Sequence, residues 1–194
     1  MLYDIMEQEV TCIEKVFSTP GICEFFGVNA VIRGALIYPI YLALAETKDN
    51  DRILDSGSGF GSIFFGSWMY HRLDLISLDI SSKMIWYADK IARAMNFFSD
   101  ANNRRVIKGS SANIPLDDRS IDTVIDCHSL VYNPDMRPTL SEYRRILKPK
   151  GCVILVPHTN RDLREAVEDT FHSYIRMGNY LALLGNPPLK VIKE

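Results

Sequence analysis

The sequence predicts an α/β protein: a doubly wound, mostly parallel sheet behind an N-terminal helical cap, with a shortened C-terminal end. Three observations lead there. Between Arg52 and Val156, five short apolar runs alternate with helical patterns, the arrangement that parallel strands joined by crossover helices require. The first run leads into a glycine-rich turn, R-I-L-D-S-G-S-G-F-G from Arg52 to Gly61. The chain has 194 residues, enough for one sizeable core, so residues 1–194 read as a single domain, with the cap over 1–50 and the α/β core over 51–194.

In the cap, residues 2–17 place Leu2, Ile5, Met6, Val10, Ile13, Val16 and Phe17 at helical spacing, and only Glu9 interrupts the apolar face. Pro20-Gly21 stops that helix. From Ile22 to Ile37 the chain is apolar and aromatic but has no clean period, and Gly27 and Gly34 interrupt it. A further helix carries Pro39 in its first turn and runs toward Lys48. Asp49-Asn50-Asp51 turns the chain into the core.

Ile53 and Leu54 read as a buried strand, followed by a carboxylate at Asp55 and glycines at Gly57, Gly59 and Gly61. Glycine turns without steric cost and lets a backbone approach a ligand closely. The apolar segment after Gly61 reads as a helix, so its free N–H groups would gather beside the turn and suit a phosphate or carboxylate. That geometry points to a nucleotide-type ligand. A dinucleotide fingerprint would need a third glycine where Ser62 stands.

Asp74 to Ile80 reads as the second strand. It ends near Asp79, about 20 residues past the glycines, where a carboxylate can accept bonds from ribose hydroxyls. Ser81 or Ser82 caps the next helix, which keeps Met84, Ile85, Ala88, Ile91, Ala92 and Met95 on one stripe. Arg105–Lys108 and Ile121–Cys127 are the third and fourth strands. A helix through Tyr143 then stops at Lys148-Pro149-Lys150-Gly151, before a fifth strand from Cys152 to Val156. From Asn160 a long helix with Leu163, Val167, Phe171 and Leu181 on one face is expected to reach about Gly185, where Pro187-Pro188 breaks it. The last six residues form a strand candidate.

The pattern D-x-G-x-G-x-G from Asp55 to Gly61 resembles the first motif of class I S-adenosylmethionine-dependent methyltransferases. Further on, G-S-S-A-N-I-P-L-D-D-R-S-I-D-T-V is similar to that family's G-D-A-x-x-L-P-F-x-x-x-S-F-D-x-V, with Gly109, Pro115, Ser120, Asp122 and Val124 in register. E-Y-R-R-I-L-K-P-K-G matches the family's E-x-x-R-V-L-K-P-G-G, an architectural segment. The resemblance covers about Arg52 to Pro157 and implies a Rossmann-like methyltransferase fold. It implies S-adenosyl-L-methionine as cofactor and S-adenosyl-L-homocysteine as product. The fourth strand ends D-C-H-S and lacks the N-P-P-Y signature associated with amino-group or nucleic-acid methylation, which favours a small-molecule acceptor and leaves protein or RNA as alternatives. The resemblance also implies a cofactor site at Asp55, Gly57, Ser58, Gly59, Gly61, Asp79, Ile80, Met84, Ser110, Ser111, Ala112, Cys127 and His128. Ser110 replaces the family aspartate that receives the adenine amino group, and Tyr132 stands where many relatives carry histidine. The family's last antiparallel strand is expected to be missing.

His128, just past the fourth strand, is the candidate catalytic base. Hydrogen bonding to its neighbours and contact with the cofactor are the alternatives. Phe25, Phe26, Tyr38 and Tyr132 are expected to wall the acceptor pocket. A non-catalytic cofactor-binding protein or subunit stays as the alternative function. A nicotinamide-dependent oxidoreductase would share the loop and Asp79, but Ser62 and the Lys-Pro segment count against it.

A net charge of -2 gives no general attraction to nucleic acid; Arg104, Arg105 and Lys108 form the densest basic candidate and read as a solvated rim. Cys12, Cys23, Cys127 and Cys152 show no zinc spacing and read as reduced thiols of a cytoplasmic protein. The acidic N-terminus does not resemble a signal peptide, and no apolar stretch approaches the roughly 20 residues of a membrane span. A homodimer is left open.

Overall fold

The computed structural model describes residues 22–67, 70, 72–98, 102–133, 135–156, 180–183 and 190–192. Side chains of Phe25, Phe26 and a few other residues within these elements fall outside the description. Helices α1 (Ile22–Leu36) and α2 (Tyr38–Leu44) precede the sheet. The core then runs β1 (Arg52–Ser56), α3 (Ile63–Gly66), β2 (Asp74–Asp79), α4 (Ser82–Phe98), β3 (Asn103–Lys108) and β4 (Ile121–Cys127). It continues through a 3₁₀ turn (Leu130–Tyr132), α5 (Arg137–Ile146), β5 (Leu147–Val156), β6 (Tyr180–Leu183) and β7 (Lys190–Ile192).

The strands lie in the order β3-β2-β1-β4-β5-β6-β7, and every pair up to β5–β6 is parallel. The chain starts at β1, builds outward to β3, then returns to add β4 on β1's other side. The crevice at this reversal opens above the carboxyl ends of β1 and β4, where ligands of such sheets bind. Central strands are buried on both faces, which explains their continuous apolar runs: Ile53, Leu54, Leu75, Ile76, Val124 and Ile125 are all solvent-free. One face packs on α5 through Leu140, Tyr143 and Ile146, and the other packs on α2 and α4 through Tyr38, Leu42, Ala88 and Ala92.

Four sequence expectations need correction. The aperiodic stretch from Ile22 is a continuous helix, α1. Its period is blurred because it is apolar on two sides: Ala30 is buried against Phe60 and Met84, whereas Val28, Val31, Ile32 and Leu36 are exposed. Gly34 does not break it but lets it dock, since a Cβ there would lie 2.3 Å from the Ser62 carbonyl oxygen.

The helix after Gly61 is a single turn, Ile63–Gly66. It ends where Gly66 touches α2, a place with no room for a side chain because a Cβ would lie 2.3 Å from Tyr38 Cβ.

The Lys148–Gly151 stop is drawn into β5 as an irregularity: Ile121 pairs with Leu147 and Thr123 already with Cys152. Lys150 takes φ +67° there.

The C-terminal end is not shortened by a missing strand, because β6 extends the parallel sheet and β7 pairs with β6 antiparallel. Leu181, expected on a helical face, lies in β6 opposite Val153. A short apolar run does not by itself distinguish strand from helix. The rest of the expected helix, and all of residues 2–17, lie outside the described residues.

Within the basic patch only Arg104 departs from the expected rim, since Arg105 is partly exposed and Lys108 is exposed. Arg104 is buried, with its guanidinium on Asn96 Oδ1 and the Asn102 carbonyl; Arg105 pairs with Asp74, and Lys108 donates to Ser82 Oγ.

Candidate functional site

The glycine turn leaves β1 at the crevice with Gly57, Gly59 and Gly61 at φ +66°, +54° and +75°. Each has its own reason to lack a side chain. At Gly57 a Cβ would lie 2.1 Å from Ser129 Cβ, so the exit of β4 rests directly on the turn. At Gly61 it would press on the Phe64 ring and on Ala88, where the turn meets α3 and α4. At Gly59 it would meet nothing within 4 Å. Open space above a backbone held at positive φ is what a cradle for a ligand requires.

Asp79 closes the other side of the turn. Its carboxylate accepts the Gly59 N–H at 2.9 Å and the Ser81 N–H at 2.9 Å. Burial pushes its pKa up, opposed by those backbone donors. Ser81 Oγ in turn accepts the Met84 N–H, capping α4. Ser58 anchors the turn to β2 by donating its N–H to the Leu78 carbonyl. Its hydroxyl is buried and has no hydrogen-bond partner among the described residues. An orphaned hydroxyl beside an open cradle fits a polar ligand group.

Beyond β4, His128 takes φ +70°, an uncommon conformation for a residue with a side chain, and donates its N–H to the Val156 carbonyl. The side chain is half-buried.

The remaining expected site residues are not equally placed. Ile80 is partly exposed beside Asp79, and Cys127 stands half-buried with its Sγ 4.0 Å from the Tyr41 hydroxyl. Met84 is packed away with Phe60 and Ala30. Ser110 accepts the Ala112 N–H and bridges to Asn113, so its hydroxyl serves its own turn. Ser111 bonds Thr139 and Asn133, toward α5.

Tyr38 is not an open pocket wall. It is buried, and its hydroxyl reaches both oxygens of the fully buried Asp55 at 2.9 and 3.1 Å. The phenol and the protein around it thus screen the motif's carboxylate from solvent. Tyr132 is largely exposed on the 3₁₀ turn. Phe25 and Phe26 lie on α1, with side chains outside the description.

The family model that matches this chain is a methyltransferase domain, over residues 47–184. The chain belongs to that family. The match extends from the turn before β1 to just past β6. A demethylmenaquinone methyltransferase of Thermotoga maritima is 30% identical over 168 residues, 82% of this chain and 63% of the relative. One from Lactobacillus johnsonii is also 30% identical, over 72% of this chain and 57% of the relative. Among solved structures, a SAM-dependent methyltransferase from Aquifex aeolicus superimposes with a TM-score of 0.54 at 19% identity, covering 80% of this chain and 71% of that one. At that identity the likeness speaks for the methyltransferase fold alone. The chain spans between 45% and 64% of the length of the curated relatives it matches.

One part of the crevice was not foreseen. Asp126, inside β4, is fully buried and receives the Ser129 N–H, the Ser129 hydroxyl, the Leu130 N–H and the Tyr143 phenol. A carboxylate directly after the apolar pair Val124-Ile125, followed at i+3 by serine, was the available signal.

Proposed function

We propose that this chain is an S-adenosylmethionine-dependent methyltransferase that acts on a small-molecule acceptor. The observation that carries the reading is the Gly59–Asp79 pair. An open backbone cradle is hydrogen-bonded to an acid at the end of β2, beside the reversal point of the sheet. When bound, the cofactor would supply an electrophilic methyl group on a sulfonium.

The chain's own residues would hold and orient. Asp79, with acceptor capacity left on its carboxylate, would take the ribose hydroxyls. Gly57, Ser58 and Gly59 would face the remainder of the ligand, and Ile80 would border the base. Ser110 and Ala112, in the turn after β3, would lie at the far end of the base. His128, at the mouth of β4, would accept a proton from a neutral acceptor. The cap helices, docked through Gly34 and Gly66, would exclude water from the reacting centre.

A small-molecule acceptor is supported by the demethylmenaquinone methyltransferases among the relatives. No described helix is long and apolar enough to cross a membrane. Burial pushes the Cys152 thiol up to about 12, which leaves it unreactive.

Calorimetry with S-adenosylmethionine, S-adenosylhomocysteine and NAD in parallel tests the reading. Binding of the first two and not of NAD is expected. Binding of NAD alone would replace the methyltransferase reading with an oxidoreductase one. Ser110, whose hydroxyl is engaged in its own turn, favours the second reading of a cofactor-binding protein without catalysis. Cofactor binding without methyl transfer to any acceptor in a panel that includes demethylated quinones would support it.

A further inference from the structure

Beneath the crevice lies a buried polar chain that joins its two shoulders. Ser56 ends β1 and pairs in register with Asp126 of β4. The hydroxyl of Tyr143, from α5, stands 2.6 Å from Asp126 Oδ2 and 2.8 Å from Ser56 Oγ. A phenol has one proton, and the carboxylate, an acceptor only, is its stronger claimant. Tyr143 and Asp126 are both essentially solvent-free, so these bonds meet no competition from water.

From Asp126 the chain continues upward. Oδ1 takes the N–H groups of Ser129 at 2.9 Å and Leu130 at 3.3 Å, and Oδ2 takes the Ser129 hydroxyl at 2.7 Å. These bonds fasten the residues directly after His128, whose left-handed backbone is strained and so needs outside support. Ser129 in turn occupies the space where Gly57 would carry a side chain. The path runs from α5 through β4 to the glycine turn without a gap.

We propose that Tyr143 and Asp126 are positioning residues of the methyltransferase site, fixing the β4 exit that carries His128 against the glycine turn at Gly57. The inference rests on the proposed function, because that reading puts the cofactor across this crevice. The Asp79 carboxylate takes its bonds from Gly59 and Ser81, outside this chain of hydrogen bonds. The network therefore governs the part of the ligand that crosses from β1 to β4, not the ribose end over β2. Adenosine and S-adenosylhomocysteine separate the two, since only the second carries an amino-acid arm beyond the ribose.

The experiment is calorimetry of the full chain with both ligands, in wild type and in Tyr143→Phe. Binding of S-adenosylhomocysteine should weaken roughly tenfold, the equivalent of one buried hydrogen bond, while adenosine affinity stays within about twofold. If Tyr143→Phe does not fold, Ser56→Ala is read by the same ratio, with a loss of about threefold for the longer ligand alone. Equal losses for both ligands, or no loss for either, would overturn the inference. No binding of S-adenosylhomocysteine to wild type would remove the proposed function and this inference together.

Discussion

The Tyr38 hydroxyl sits between the two carboxylate oxygens of Asp55, at 2.9 and 3.1 Å, and so ties helix α2 of the cap to the first strand of the cofactor fold. Both side chains are buried. Tyr38→Phe keeps the ring's packing on Tyr41 and removes the hydroxyl's bond to a buried acid. The expected cost is about 1.5–3 kcal/mol, the range for a hydrogen bond to a charged group, read from the urea midpoint at constant slope. A change under about 0.5 kcal/mol would show that Asp55 does not depend on the cap.

Asp79→Ala should weaken S-adenosylmethionine binding by about 1.5–3 kcal/mol. It removes the proposed ribose acceptor and releases the Gly59 N–H from its anchor. Unchanged affinity in that variant would mean that the ribose lies elsewhere.

The same residue sets a pH dependence. Burial raises the folded-state pKa of Asp79 above its unfolded value, so its ionisation costs stability above that pKa. The cost is relieved as pH falls through it. Cofactor binding responds in the opposite sense: the ionised carboxylate is the proposed acceptor, so affinity should fall on acidification, starting above the ordinary aspartate range. Calorimetry from neutral to mildly acidic pH reads this, and Asp79→Asn should flatten the profile.

Ser110→Asp should keep or tighten cofactor binding. An aspartate can accept the Ala112 N–H as the serine does, which preserves the turn, and it adds a charged acceptor for an adenine amino group. A tenfold or greater loss of affinity on that change would show that the turn does not meet the base.

The cap should respond to the ligand. Hydrogen exchange over residues 22–40 is expected to slow when S-adenosylhomocysteine binds, because α1 packs on the glycine turn through Ala30 and Phe60. Gly34→Ala would put a Cβ 2.3 Å from the Ser62 carbonyl and should speed exchange in α1 while sparing β1 and β4. Ligand-independent exchange across the cap would reduce it to scaffolding.

Much of the core was legible in the chain because its signals are local. An apolar run of β-branched residues marks a strand wherever it is buried on both faces, which is why Ile121–Cys127 was bounded correctly. The D-x-G-x-G-x-G turn and the acid at Asp79 are likewise fixed by spacing along the backbone. Only the tertiary structure decided who meets whom. Tyr38 finds Asp55 across 17 residues, and Tyr143 finds Ser56 across 87, pairings that no period within one element encodes. Helix α1 was illegible because both its sides are apolar, and Gly34 read as a breaker until its close approach to the Ser62 carbonyl explained it. Periodicity records which side of an element is buried, whereas a hydrogen bond or a missing Cβ records what lies on that side. The second exists only once the sheet has brought distant segments within a few ångströms of each other.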